Sequence, residues 1–139
     1  MLAKIYERNP SESALRRVVD TLERDGVIIY PTDSVYAFGC SIRSPRALER
    51  LRRIRGKADT GFAVVFESLA QVAEYCRVDN ATFRILKRNL PGPFTFVPPA
   101  SSRVPDKALA RRPPIRVRLP QHACARSARA ATGARRRAA

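Results

Sequence analysis

The sequence contains no tryptophan, one methionine and one histidine, and only 7% of its 139 residues are aromatic. Its core must therefore be built mainly from aliphatic side chains. The single histidine, His122, has no second ligand or base beside it, so the sequence predicts neither a metal site nor a histidine-dependent catalytic pair. No apolar run approaches the roughly 20 residues that cross a bilayer, and the N-terminus lacks the apolar stretch of a signal peptide. These absences predict a cytoplasmic protein without a membrane segment.

Cysteine is scarce as well. Cys40, Cys76 and Cys124 are odd in number and far apart. No pair has the C-x-x-C spacing that is typical of zinc and redox sites. We interpret the three residues as reduced thiols that pack as small hydrophobic side chains.

Acidic residues are missing from the C-terminal part of the chain. The net charge is +15, yet residues 1–106 carry only +5, because they hold 17 Lys and Arg against all 12 acidic residues. Residues 107–139 hold the other ten basic residues. This asymmetry favours contact with a polyanion, since each neutralised phosphate releases a condensed counterion. A basic tail binds any nucleic acid, so the pattern alone identifies no particular partner.

Helical periodicity alternates with short β-branched runs along the chain. The predicted helices start at Asn9-Pro10, with Asn9 as N-cap, and at Ser44-Pro45, and two shorter ones cover 68–76 and 80–89. The predicted strands cover 27–30, 62–66, 95–97 and 115–119. This order predicts an α/β fold in which helices flank an open, twisted sheet of mixed or largely parallel strands.

The composition changes near the C-terminus. The last 19 residues contain eight Ala and five Arg, with no turn chemistry and little to bury. We therefore divide the chain into a domain over residues 1–122 and a basic tail over 123–139, which we expect to be disordered.

Four short motifs occur in order between residues 10 and 122. They are Y-P-T-D-S-V-Y-A-F-G-C at 30–40, R-I-R-G-K at 53–57, P-G-P-F-T-F at 91–96 and R-V-R-L-P at 116–120. Together they resemble the signatures of the YrdC family, which read much like Y-P-T-D-T-x-Y-G-L-G-C, K-x-R, P-G-P-x-T and R-x-P. Ser34, Ala37 and Arg55 make the resemblance strongest to the YciO-like branch of that family.

The resemblance implies the activity of an L-threonylcarbamoyladenylate synthase, a nucleotidyltransferase. Such an enzyme joins threonine, bicarbonate and ATP, with Mg²⁺ on the phosphates, for the threonylcarbamoyladenosine modification of tRNA. Family members continue into an S-x-S-A-N motif that has no counterpart here, so we expect a C-terminally truncated or altered copy. Two alternatives stay open: a non-catalytic module that binds double-stranded RNA or tRNA, and an inactive product.

The resemblance also implies two groups of site residues. The substrate-binding group is Thr32, Ser34 and Tyr36. The nucleotide- and phosphate-binding group is Arg55, Lys57, Thr95 and Arg118. No residue is identified as a catalytic acid, base or nucleophile.

The residues of the substrate-binding group also have simpler interpretations. Thr32 and Ser34 follow a predicted strand, and open α/β sheets bind ligands at the carboxyl ends of their strands. The alternative is an ordinary turn in which both hydroxyls bond the local backbone. Tyr36 is either a site residue or a core aromatic whose hydroxyl finds a partner.

The basic residues allow the same choice. Arg55 and Lys57 lie at the end of a predicted helix. Their charges either stabilise the negative end of the helix dipole, which needs no ligand, or bind phosphates. Their order is inverted relative to K-x-R, and an Arg fork is not equivalent to a Lys point charge. Thr95 is a site residue or an ordinary strand residue. We expect only one of Arg116 and Arg118 to face the cleft, and the resemblance selects Arg118.

Overall fold

The computed structural model describes residues 2–6, 8–56, 62–101 and 115–121. Within these ranges the chain forms four helices and four strands. In order they are α1 (Glu12–Glu23), β1 (Val27–Tyr30), β2 (Ala37–Cys40), α2 (Pro45–Arg55), β3 (Ala63–Val65), α3 (Leu69–Tyr75), α4 (Asn80–Asn89) and β4 (Arg116–Arg118). The predicted α/β class is confirmed. The predicted tail at 123–139 lies outside the described residues.

A side-chain cap starts each helix. The N-caps, each accepting a backbone N–H three residues on, are Ser11, Ser44, Ser68 and Asp79. Helices α2 and α4 begin where the sequence predicts. Helix α1 does not, because Ser11 and not Asn9 is its N-cap. Pro10 therefore precedes the cap and is not the first helical residue, and the predicted start was wrong by two residues.

Strands β1 and β2 form an antiparallel hairpin. The register runs from Val27 opposite Cys40 to Tyr30 opposite Ala37. Strand β2 was not among the predicted strands. The aromatic ring of Tyr30 lies against Gly39, where a Cβ atom would approach Tyr30 Cε1 to 2.7 Å. The close approach favours glycine here, because any side chain would have to displace the ring.

Strands β3 and β4 form a second, parallel sheet. Val64 pairs with Val117, and Phe96 adds a single antiparallel bridge to Val117, with N–O distances of 3.0 and 2.7 Å. The predicted strand at 95–97 is therefore reduced to one bridging residue. Pro98 and Pro99 follow it and have no N–H to extend a ladder.

The sheet organisation differs from the prediction. We expected one sheet from the segments 27–30, 62–66, 95–97 and 115–119. Over the described ranges the strands instead form two sheets of two strands each, β1 with β2 and β3 with β4. Strand β1 takes β2 as its partner, and β2 is the segment that the sequence reading left unassigned.

A buried cluster joins helices α2, α3 and α4 to the parallel sheet. It consists of Leu48, Phe66, Val72, Cys76, Leu86, Leu90, Ile115, Val117 and Leu119. Phe66, Val72 and Val117 have no solvent exposure. Val117, the central residue of β4, belongs to this cluster, so the core anchors β4. None of the helices in the described ranges is both long and apolar enough to cross a membrane.

Burial also determines the state of two thiols. Cys40 and Cys76 are free, and burial raises the pKa of each thiol to about 11. Both groups are therefore protonated at neutral pH, as expected of cysteines that serve as packing residues.

Candidate functional site

The hydroxyl of Thr32 organises the turn that follows β1. Its Oγ1 donates to the carbonyl oxygen of Val35 at 2.6 Å and accepts the backbone N–H groups of Ser34 and Val35 at 3.3 and 3.2 Å. The N–H of Thr32 reaches the same carbonyl at 3.3 Å. Thr32 thus bonds the local backbone of an ordinary turn, which was the simpler interpretation of this residue from the sequence. Its effect on a ligand would come through the residues that this turn presents.

Ser34 is one of the exposed residues of this turn. Its Oγ lies 3.2 Å from Thr32 Oγ1 and accepts a hydrogen bond from Arg118 Nη2 at 3.3 Å. Arg118 comes from β4, 84 residues further along the chain. The structure therefore brings together Thr32 and Ser34, predicted for the small substrate, and Arg118, predicted for the nucleotide.

Arg118 and Arg116 differ in how far their side chains are exposed to solvent. Residues i and i+2 of a strand lie on the same face, so strand geometry alone does not distinguish them. Arg116 is exposed, whereas only 20% of the Arg118 side chain is accessible because the turn after β1 covers it. Arg118 is thus the arginine of β4 that contacts the predicted site.

Asp33, which the sequence analysis did not assign to the site, lies beside Arg118. Its Oδ1 is 3.9 Å from Arg118 Nη2, and its side chain is only 12% exposed. Both carboxylate oxygens and Arg118 Nε are buried without a hydrogen-bond partner among the residues that the structure describes. We call Thr32, Asp33, Ser34 and Arg118 the strand-end cluster, because three of them directly follow β1.

Tyr30 borders this cluster at the end of β1. Burial raises the pKa of the Tyr30 phenol, and the nearby positive charge of Arg118 partly offsets this effect. The phenol is therefore a neutral donor at physiological pH. The strand-end cluster therefore combines a guanidinium, a carboxylate and two hydroxyls at the end of β1.

The other predicted site residues lie outside this cluster or beyond the described ranges. Tyr36 is 74% exposed, so its interpretation as a core aromatic was wrong. Thr95 is exposed and precedes the bridging residue Phe96. The Arg55 guanidinium lies 5.4 Å from the centre of the Phe62 ring, a cation–π distance. Lys57 lies outside the described residues, so the phosphate-binding pair stays a prediction.

A comparison with protein families identifies the class. A family profile described as "Telomere recombination", which covers the Sua5, YciO and YrdC proteins, matches residues 20–134. The chain belongs to this family. The resemblance found in the four sequence motifs is therefore confirmed.

Individual relatives refine this placement. The uncharacterised protein YciO of Escherichia coli K12 is 37% identical over 131 residues, which cover 93% of this chain and 64% of YciO, and its crystal structure matches with a TM-score of 0.87. Threonylcarbamoyl-AMP synthase of Thiobacillus denitrificans is 37% identical over 103 residues, 73% of this chain and 55% of that enzyme.

A more distant structure shares the fold. The crystal structure of P. abyssi Sua5 complexed with L-threonine matches with a TM-score of 0.83 at 24% identity, over 90% of this chain and 37% of Sua5. The chain thus spans 64% of the length of YciO and smaller fractions of the other two proteins.

Proposed function

We propose that this chain binds L-threonine at the strand-end cluster as part of a threonylcarbamoyl-AMP synthase activity. In that reaction threonine, bicarbonate and ATP give threonylcarbamoyl-AMP and pyrophosphate. The observation that carries the proposal is the 3.3 Å contact between Arg118 and Ser34, which places a guanidinium beside a hydroxyl at the end of β1. A guanidinium pairs with carboxylates through charge-assisted hydrogen bonds.

Relatives that are named for this activity support the proposal. The Thiobacillus denitrificans synthase aligns with 73% of this chain. The Sua5 structure, which has the same fold, contains L-threonine.

In the proposed reaction the protein positions its substrates. Arg118 would bind the threonine carboxylate, and the Ser34 hydroxyl would orient the guanidinium. Arg55, and Lys57 beside it in sequence, would bind the phosphates of Mg²⁺-ATP, with Thr95 on the adenylate side. Holding the reacting groups together removes the entropic cost of their encounter, and positive charge stabilises the departing pyrophosphate.

Calorimetric titration with L-threonine, in the presence and absence of Mg²⁺-ATP, tests the binding site. A hydrogen bond to a charged group contributes about 1.5–3 kcal/mol to the binding free energy. Arg118→Ala removes it and should therefore weaken threonine binding by roughly 10- to 100-fold. Arg116→Ala is the matched control, because it removes the same charge from an exposed position of the same strand. Equal losses in the two variants would mean that Arg118 is not part of the site.

The reaction is tested by pyrophosphate release. Release that requires both threonine and bicarbonate supports the synthase activity. If threonine binds but pyrophosphate release responds to neither threonine nor bicarbonate, the synthase activity is ruled out. The chain would then be a domain that only binds threonine.

The exposed arginines of α2 favour RNA binding as a second candidate function. Arg46 and Arg50 are exposed and lie one helical turn apart on one face. Duplex RNA is recognised largely by shape and phosphate contacts, which arginines provide. The double variant Arg46→Ala/Arg50→Ala should weaken binding of duplex RNA. The measurement is made at about 0.1 M salt, because surface charges still interact over about 10 Å there. The control is the double variant Arg16→Ala/Arg17→Ala on α1, which removes the same charge elsewhere. If both double variants weakened RNA binding equally, the binding would depend on net charge and not on the face of α2.

A further inference from the structure

The β1–β2 hairpin exposes four large apolar side chains. Ile29 and Phe38 stand directly opposite each other in the ladder, so their side chains share one face of the hairpin. They are 64% and 47% exposed. Val35 and Tyr36 immediately precede β2 and are 68% and 74% exposed. We call these four residues the hairpin patch.

The rest of the hairpin is better covered than the hairpin patch. The opposite face of β1, which carries Ile28 and Tyr30, is partly buried, whereas Ile29 is exposed. Over the described residues, each strand of the hairpin has only the other as its ladder partner. A two-stranded hairpin is at best marginally stable in water without further packing on an apolar face. A contact that covers the hairpin patch would therefore stabilise both strands.

The sequence places almost no charge on the hairpin. Asp33 is the only Asp, Glu, Lys or Arg between residues 27 and 40, and its side chain is only 12% exposed. Strands at the edge of a sheet usually carry charged residues, especially Lys, which oppose contact with other chains. The exposed apolar residues Phe83 and Ile85 of α4, in contrast, flank Arg84. The hairpin patch thus has the composition of a contact surface.

The exposed area is sufficient for a contact between two chains. A buried aromatic side chain removes about 150–250 Å² from water, so the four residues at their present exposures offer roughly 500 Å² on each chain. Two hairpin patches packed against each other would bury roughly 1,000 Å² in total, which reaches the lower limit for a specific interface. An exposed apolar patch of several hundred Å² on a monomer often has a function in binding.

A second copy of this chain has the complementary surface. The hairpin patch is apolar on both copies, so its burial is favourable and no like charges meet there. The net charge of +15 opposes self-association in general, but residues 107–139 carry ten of these charges and the hairpin carries none.

We propose that two copies of this chain associate through the hairpin patch as a symmetric dimer, in which the same four residues of each copy are buried. Val35 follows Thr32 and Ser34 in the turn after β1. The partner copy would therefore lie beside the turn that carries the strand-end cluster.

Analytical ultracentrifugation of the full chain over the micromolar range tests the dimer. The protein is treated with nuclease and measured at about 1 M salt, where surface charges are screened beyond about 3 Å. These conditions remove association through nucleic acid, and a dimer that depends on apolar contacts should persist in them.

Two variants place a charge in the contact. Ile29→Lys should raise the dissociation constant of the dimer by about tenfold or more, because it removes an apolar side chain from the interface and would bury a charge there. Val35→Lys should have the same effect, and it lies outside both strands. The matched control is Ile85→Lys, which changes a 54% exposed isoleucine of α4. It should alter the dissociation constant by no more than about twofold.

Four results would overturn the proposal. A chain that stays monomeric at every concentration would leave the hairpin patch to a different protein. Association that continues beyond the dimer would show unspecific adhesion. Equal weakening by the patch variants and by Ile85→Lys would make net charge the cause. Unchanged dimerisation in Val35→Lys would remove the patch from the contact, and this variant decides if circular dichroism shows that Ile29→Lys does not fold. Threonine binding enters none of these measurements, so the proposed function is tested separately.

Discussion

Replacing Gly39 with alanine tests whether the β1–β2 hairpin positions the strand-end cluster. The new Cβ would lie 2.7 Å from Cε1 and 3.2 Å from Cδ1 of Tyr30. Carbon atoms in ordinary contact are about 3.5–4.0 Å apart, so the Tyr30 ring has to move by about 1 Å or the strands have to separate. Tyr30 is followed directly by Pro31 and Thr32. A displacement of the ring is therefore passed into the turn that carries the cluster.

The size of the effect follows from two opposing contributions. Forcing an extra carbon into a packed site costs typically about 1–3 kcal/mol. Alanine recovers about 0.5–1 kcal/mol because it has less backbone freedom than Gly39 in the unfolded chain. The net loss in the free energy of unfolding should be about 1–2 kcal/mol. For a domain of this size, that loss corresponds to a fall in Tm of roughly 4–10 °C.

Thermal unfolding followed by circular dichroism measures this loss, and threonine titration measures its consequence at the site. The matched comparison is Gly39→Ala in a background where Tyr30→Val has removed the ring. In that background the alanine has no ring to displace, so the steric cost should disappear, and the double-mutant cycle should show a coupling equal to that cost, about 1–3 kcal/mol. An undiminished cost in the Tyr30→Val background, or no cost in the native one, would refute the reasoning.

Three further predictions concern helix capping and thiol chemistry. Ser44→Ala removes a buried cap that accepts the N–H of Ala47 at 2.9 Å, and it should lower the free energy of unfolding by about 1 kcal/mol. Ser11→Ala removes a weaker cap, whose hydrogen bond is 3.5 Å long. It should therefore cost less in the same thermal unfolding assay. Burial raises the pKa of the Cys40 and Cys76 thiols to about 11, so peptide mapping should show slow alkylation at pH 8 that accelerates with pH. Because the folded state prefers both thiols protonated, stability should be intact below about pH 9 and fall as the pH rises towards 11. Alkylation at pH 8 as fast as that of a free cysteine would contradict this.

Local sequence signals were sufficient where the structure itself is local. Helix α4 occupies the predicted range 80–89, and α2 starts at the predicted Ser44-Pro45. Caps depend only on neighbouring residues, so they are visible in the sequence. The error at the start of α1 is of the same local kind. Asn9 and Ser11 are both acceptable caps, and the sequence does not state which one turns its oxygen towards the free N–H groups.

Pairing between strands was predicted less well. Strand β2 was missed because A-F-G-C contains a glycine and lies inside a motif that was interpreted by its chemistry. The segment 95–97 was predicted as a strand from its aromatic and β-branched residues, yet only Phe96 pairs. Which segments hydrogen-bond to each other depends on the tertiary arrangement, and strand propensity measures mainly how a side chain packs against its neighbours there.

The candidate site shows the same limit in its chemistry. Thr32 and Ser34 attract attention because hydroxyls after a strand are a common site pattern, whereas the Asp33 between them has the composition of an ordinary turn. What distinguishes Asp33 is burial beside Arg118, a residue 85 positions further along the chain. Charge burial is a property of the folded chain, since a carboxylate is costly only once water has been excluded from it. The motif therefore locates the cluster, and only the folded structure shows that Asp33 is buried beside Arg118.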